Sequence, residues 1–114
     1  MSIASDIIRG HTDTIILSSL REKDSYGYEI NKKIKTASGG RYELNEATLY
    51  TAFKRLEDNG CITSYWGTEQ ANARRKYYHI TAFGIDTCKR LHTEWEAAKK
   101  IIDTLICTEG EKDE

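Results

Sequence analysis

Proline is absent from the 114 residues, cysteine occurs only three times, and no apolar run approaches the roughly 18 residues that a membrane helix requires. Each shortage excludes something. Cys61, Cys88 and Cys107 are odd in number and contain no close pair, which does not suit a disulfide framework or a Cys-x-x-Cys metal or redox site. They read as reduced, structural thiols. The first residues lack the basic, apolar and small-residue succession of a secretory signal, so the expected address is the cytoplasm and no membrane partner is expected. Net charge is scarce as well, at −1, but residues 108 to 114 carry −3 of it and leave +2 on residues 1 to 107. So small a surplus does not by itself attract a polyanion; any nucleic-acid interface has to come from local placement of charge.

Catalytic groupings are equally sparse. Cys88 and His92 are the one pair at helical ligand spacing, and two ligands do not close a metal site. His11 and His79 are isolated in sequence with no evident acid or nucleophile partner, and no glycine-rich phosphate cradle is present. No enzyme chemistry, metal or cofactor is expected.

What is present is a foldable composition, 39% hydrophobic and 31% charged, of a length that suits one core with an appendage. Without proline, the glycines punctuate the chain. Residues 5 to 21 repeat apolar side chains at Ile8, Ile15, Ile16 and Leu20, which predicts a first helix. Ser25 is a candidate N-cap for a second helix, with Ile30, Ile34 and Ala37 on its stripe and Gly39 and Gly40 as its stop. Asn45 caps a third, in which Glu46 complements the positive end, Leu49, Phe53 and Leu56 share a face, and Gly60 ends the run.

Residues 62 to 66 and 74 to 80, rich in Ile, Thr, Tyr and Trp and separated by the polar loop 67 to 73, predict an antiparallel hairpin. Thr81 then caps a last helix running to about Cys107, roughly 40 Å long. The order predicts a mainly α chain with a small β-hairpin, an α+β fold: a winged helix-turn-helix domain over residues 1 to 80, a dimerisation helix over 81 to 107, and an acidic flexible tail over 108 to 114. A generic α+β domain is the alternative.

With Leu49, Phe53 and Leu56 inward, the third helix turns Ala47, Thr51 and Lys54 outward, flanked by Thr48, Tyr50 and Arg55. Hydroxyls and cations on such a face suit a duplex, although Glu57 and Asp58 offset the cations and an ordinary solvated face has the same pattern. Arg74, Arg75 and Lys76 follow the hairpin loop, where a wing would lie on phosphates; a solubilising edge strand is the competing reading. Tyr65, Trp66, Tyr77 and Tyr78 could stack on bases, but aromatics at this spacing more often pack a wing onto its helices, and they read as core.

Along the last helix Cys88, Leu91, Trp95, Ala98, Ile102 and Leu105 recur at spacings of three and four, a seam for a second copy or, in part, for the first helix. Trp95 beside the small Ala98 either fills a core position or borders a gap that admits a planar aromatic molecule. Asp13, Glu94 or Glu96 could add negative charge there, and Ile7, Ile8 and Thr14 from the first helix of a second copy could complete the wall.

The segments DSYGYEI at 24 to 30, NEATLYTAFKRLE at 45 to 57, RRKYY at 74 to 78 and ITAFG at 80 to 84 together resemble the PadR family of bacterial repressors, over nearly the whole chain. The likeness is greatest to short members with one C-terminal helix, among them multidrug-responsive repressors. It implies a homodimer, double-stranded operator DNA bound through the third helix and the wing, repression relieved by a small molecule, and a planar aromatic ligand stacked at the dimer interface between Trp95 and its symmetry mate. Lys99 stands four positions after Trp95, where a multidrug-responsive member has an acid, so a preference for cationic compounds does not follow. The rival function is a winged-helix module that binds proteins and no DNA.

Overall fold

The computed structural model describes residues 3 to 68 and 74 to 106, with side chains from residue 6 onward. Two helices stand where one was expected. α1 (Ile3–Arg9) stops at Gly10, whose N–H bonds to the carbonyls of Asp6 and Ile7 at 3.3 and 3.2 Å, and after a turn at Gly10 and His11 the chain restarts as α2 (Thr12–Glu22). A glycine in a helix interior loses more conformational freedom than other residues, and the Thr12 hydroxyl fixes the corner by donating to the Arg9 carbonyl at 2.6 Å. α2 buries Ile16 and Leu20 as the stripe anticipated, and Leu17 as well.

Ser25 is not a helix cap. It belongs to a two-residue strand, β1 (Ser25–Tyr26), which pairs antiparallel with Tyr77 and Tyr78, and its hydroxyl donates to the Glu29 carboxylate. α3 (Gly27–Ala37) follows at once and ends on Gly39 and Gly40, both at positive φ (67° and 80°), where Gly40 N–H reaches the Lys35 carbonyl at 2.8 Å. The turn into the next helix is clasped by Asn31, which donates to the Leu44 carbonyl at 2.6 Å and accepts from the Leu44 amide at 2.9 Å. α4 (Glu46–Asp58) begins as expected: the Asn45 side chain accepts from Thr48 N–H at 2.8 Å.

β2 (Ile62–Trp66) and β3 (Lys76–Ile80) form the hairpin, in a register that sets Ile62 opposite Ile80 and Trp66 opposite Lys76. With β1 they make a three-stranded sheet in the order β1-β3-β2. Arg74 and Arg75, expected within the second strand, precede it.

α5 (Ala82–Ile106) is capped by Thr81, which accepts from Gly84 N–H at 3.0 Å and donates to the Gly60 carbonyl at 2.7 Å. Gly84 lets α5 lie against the chain leaving α4: a β-carbon there would overlap the Cys61 carbonyl and come within 2.7 Å of Ile80 Cγ1.

The core gathers Ile16, Leu17 and Leu20 of α2, Ile30 of α3, Leu49, Phe53 and Leu56 of α4, Ile62, Tyr78 and Ile80 of the sheet, and Cys61 and Cys88. Phe53 stacks on Tyr78 with ring centroids 3.9 Å apart, and burial pushes the Tyr78 phenol up to about 12. Cys61 and Cys88 are buried free thiols; Cys107, the tail 108 to 114 and most of the loop 67 to 73 lie outside the described residues. No helix among the described residues is long and apolar enough to cross a membrane.

Candidate nucleic-acid interface

The cap at Asn45 and the buried stripe of α4 decide which side chains remain outside. Ala47, Tyr50, Thr51, Lys54 and Arg55 are exposed and Thr48 is half-buried. Tyr50 lays its ring edge on Phe53 and its hydroxyl close over Gly27, where a β-carbon would come 2.5 Å from it. Lys54 reaches Asp58 at 3.4 Å across water-exposed surface, a weak tie. Arg55 is held differently. It donates from Nε to Asp13 Oδ2 at 3.2 Å and from Nη2 to Asp13 Oδ1, joining α4 to α2; these hydrogen bonds raise its pKa, against the lowering effect of partial burial.

The cations before β3 lie over aromatic rings. The Arg74 guanidinium sits 5.4 Å from the Trp66 ring and that of Arg75 sits 4.7 Å from Tyr26, while Lys76 is exposed opposite Trp66. The aromatics depart from the expectation that all four are core. Tyr78 is buried and Tyr77 half-buried, but Tyr65 and Trp66 are 44% and 56% exposed. They stand at the end of β2 remote from Ile62. Tyr65 stacks on Tyr77 across the strands at 5.6 Å and donates its hydroxyl to Asp24 at 2.6 Å. His79 Nδ1 lies 2.8 Å from the other Asp24 oxygen. Burial alone would raise the Asp24 pKa, but the hydrogen bonds from Tyr65 and His79 and the charge of His79 hold it below its ordinary value.

Trp95 borders a cavity of about 400 Å³ at the corner between α1 and α2, with Ala98, Asp13 and Glu94 from the expected set in its wall, and with Thr14 supplied by the same chain where a second copy was expected to supply it. Arg9, His11, Arg55 and Leu91 also line it. The His11 ring meets the indole edge-on, with centroids 4.6 Å apart. Sequence reasoning missed His11 because it treated the corner as continuous helix. Lys99 is elsewhere, paired with Glu96 at 3.6 Å, and Ile7 is exposed. Ile8 lines a separate apolar cavity of about 300 Å³ with Ile15, Ile34 and Tyr42.

The seam on α5 divides into two parts. Cys88 is sealed in the core of its own chain, and Leu91, Trp95 and Ala98 are half-buried. Ile102 and Leu105 are exposed, and so are Ile101 and Ile106. His92 stands on the surface beside Glu96, away from the buried Cys88 thiol, and no group of three metal-ligating side chains occurs among the described residues.

The model of the transcriptional regulator PadR-like family matches residues 16 to 90, which take in α3, α4 and the whole sheet. The chain belongs to this family. A solved transcriptional regulator from Clostridium thermocellum is 52% identical, with a TM-score of 0.82, over 90% of this chain and 97% of that one. A PadR family transcription regulator from Clostridium difficile is 38% identical, with a TM-score of 0.72, over 84% of this chain and 98% of the other. An uncharacterised protein of Lysinibacillus sphaericus is 46% identical over 104 residues, 91% of this chain and 95% of its own length. The PadR-like assignment makes the protein a winged-helix transcriptional regulator and not an enzyme. The match ends at residue 90, before Trp95 and before the open part of α5.

Proposed function

We propose that this PadR-like protein is a repressor that binds an operator duplex as a homodimer and releases it when a planar aromatic molecule enters the cavity at Trp95. One observation carries the DNA reading: Thr51 and Lys54 stand exposed on α4, while Arg74 and Lys76 stand exposed on the wing of the same sheet. In this reading Thr48, Tyr50, Thr51, Lys54 and Arg55 lie in or beside the major groove, and Arg74, Arg75 and Lys76 lie on phosphates. Residues 1 to 80 serve DNA and residues 81 to 107 serve pairing. A two-fold dimer joined along α5 through Ile102 and Leu105 would set two α4 helices on one duplex face about 34 Å apart.

The deciding experiment is a duplex titration over a salt series. A DNA binder loses affinity steeply with salt as its cations displace condensed counterions, and Arg75→Ala is expected to flatten the slope by about one. A protein-interaction module shows no duplex binding even at low salt, and that outcome would overturn the proposal. For the effector, planar aromatic compounds are expected to quench Trp95 fluorescence in a Trp66→Phe background. Undiminished affinity in a dimeric Trp95→Ala variant would make the indole structural.

A further inference from the structure

A second cavity, of about 320 Å³, opens beside the exposed face of α4 and is lined by Arg9, Thr12, Ala47, Thr48, Thr51 and Arg55. Two arginines and three threonines face it, and no carboxylate is in its wall. Its position on the helix matters. At about 100° per residue, Thr48, Thr51 and Arg55 fall on one flank of α4 and Tyr50 on the other. The Tyr50 flank leans over Gly27, next to β1, whose Tyr26 lies under Arg75. The wing cations therefore belong to the Tyr50 side, and Arg9 and Arg55 to the opposite side. A helix seated in a major groove roughly 12 Å wide has a sugar-phosphate backbone along each flank, and the wing can serve only one of them.

We infer that the corner between α1 and α2 is a second backbone contact, in which Arg9 and Arg55 hold a duplex phosphate and Asp13 acts as the positioning residue for Arg55. The inference rests on the DNA-binding reading above. Asp13 engages Nε and Nη2 of Arg55, and a guanidinium carries five N–H donors, so the Nη1 edge is left for an anion. Asp13 itself lines the Trp95 cavity and not the notch. Arg9 pairs with Asp6 at 2.7 Å, with both side chains about half exposed, and such a pair contributes little in water. The corner is fixed by the Thr12 hydroxyl on the Arg9 carbonyl, so Arg9 projects from a defined backbone, and the hydroxyls of Thr48 and Thr51 add neutral donors.

The test uses the full chain and a fluorescently labelled 30-base-pair duplex of random sequence, titrated over a salt series, with circular dichroism to confirm that each variant folds. Arg9→Ala is expected to flatten the slope of log affinity against log salt by about one, and Arg9→Lys to restore it. Lys100→Ala, which removes an exposed cation of α5, is expected to leave the slope alone. Asp13→Asn gives the sharper sign: neutralising an acid favours a polyanion by bulk charge, whereas loss of positioning weakens binding severalfold. An unchanged slope in Arg9→Ala, or an equal change in Lys100→Ala, overturns the phosphate contact. Tighter binding by Asp13→Asn overturns the positioning role. A wild-type chain that binds no duplex at low salt is a different failure, which removes the DNA reading and this contact with it.

Discussion

α4 and the last turns of α5 both carry apolar side chains at helical spacing, and they end in opposite conditions. Leu49, Phe53 and Leu56 keep no more than 2% of their surface, whereas Ile101, Ile102, Leu105 and Ile106 keep between 49% and 76%. The difference lies in the neighbours. α4 is enclosed by α2 and the sheet, whereas α5 is sealed at its start, where Gly84 admits it and Cys88 joins the core, is half-covered by α2 as far as Ala98, and is open beyond. Periodicity identifies a face but does not say what covers it. An open apolar stripe of this kind marks an interaction surface, in line with the pairing proposed for α5.

Three variants would break or sharpen the contrast. The largest effect is expected at Phe53→Ala, which empties the centre of the sealed face and removes the stack on Tyr78; about 3 to 5 kcal/mol of stability should be lost in urea unfolding. A loss under about 1 kcal/mol would mean that α4 is not the keystone of the core. Gly84→Ala comes next, at about 1 to 3 kcal/mol, because the added methyl must displace Cys61 or Ile80 where α5 is tightly held. A neutral result there would show that the start of α5 is as loosely seated as its end. The smallest effect on the fold of a single chain, within about 0.5 kcal/mol, is expected for Ile102→Asp with Leu105→Asp. Those two changes should nevertheless convert a dimer into a monomer in sedimentation at micromolar concentration. A wild-type chain already monomeric there would mean that the stripe is not a pairing surface.

The parts of this architecture legible in the sequence are those that depend on contacts a few residues apart. Asn45 and Thr81 cap helices through amides three positions on, Gly39, Gly40 and Gly60 take the positive φ that stops a helix, and the α4 stripe follows from spacing alone. What escaped is tertiary. The strand at Ser25 and Tyr26 is too short to show a period and exists only because β3 lies alongside it. The exposure of Tyr65 and Trp66 depends on where the helices stop covering the sheet. Of the site residues, those on α4 and before β3 could be named from the helical period and the charge cluster. The tie of Arg55 to Asp13, 42 positions away, and the contact of His11 with Trp95 had no local signal.

Arg9, Thr12 and Arg55 line both the notch beside α4 and the cavity at Trp95. If the notch holds a phosphate and the cavity a small molecule, as proposed, these shared side chains would link the two binding equilibria. If a molecule at Trp95 alters the grip of Arg55 on a phosphate by some factor, the duplex must alter the affinity for that molecule by the same factor. Operator DNA would then act as an effector of the small-molecule site, and measurements of ligand affinity with and without duplex would report one coupling constant from either direction.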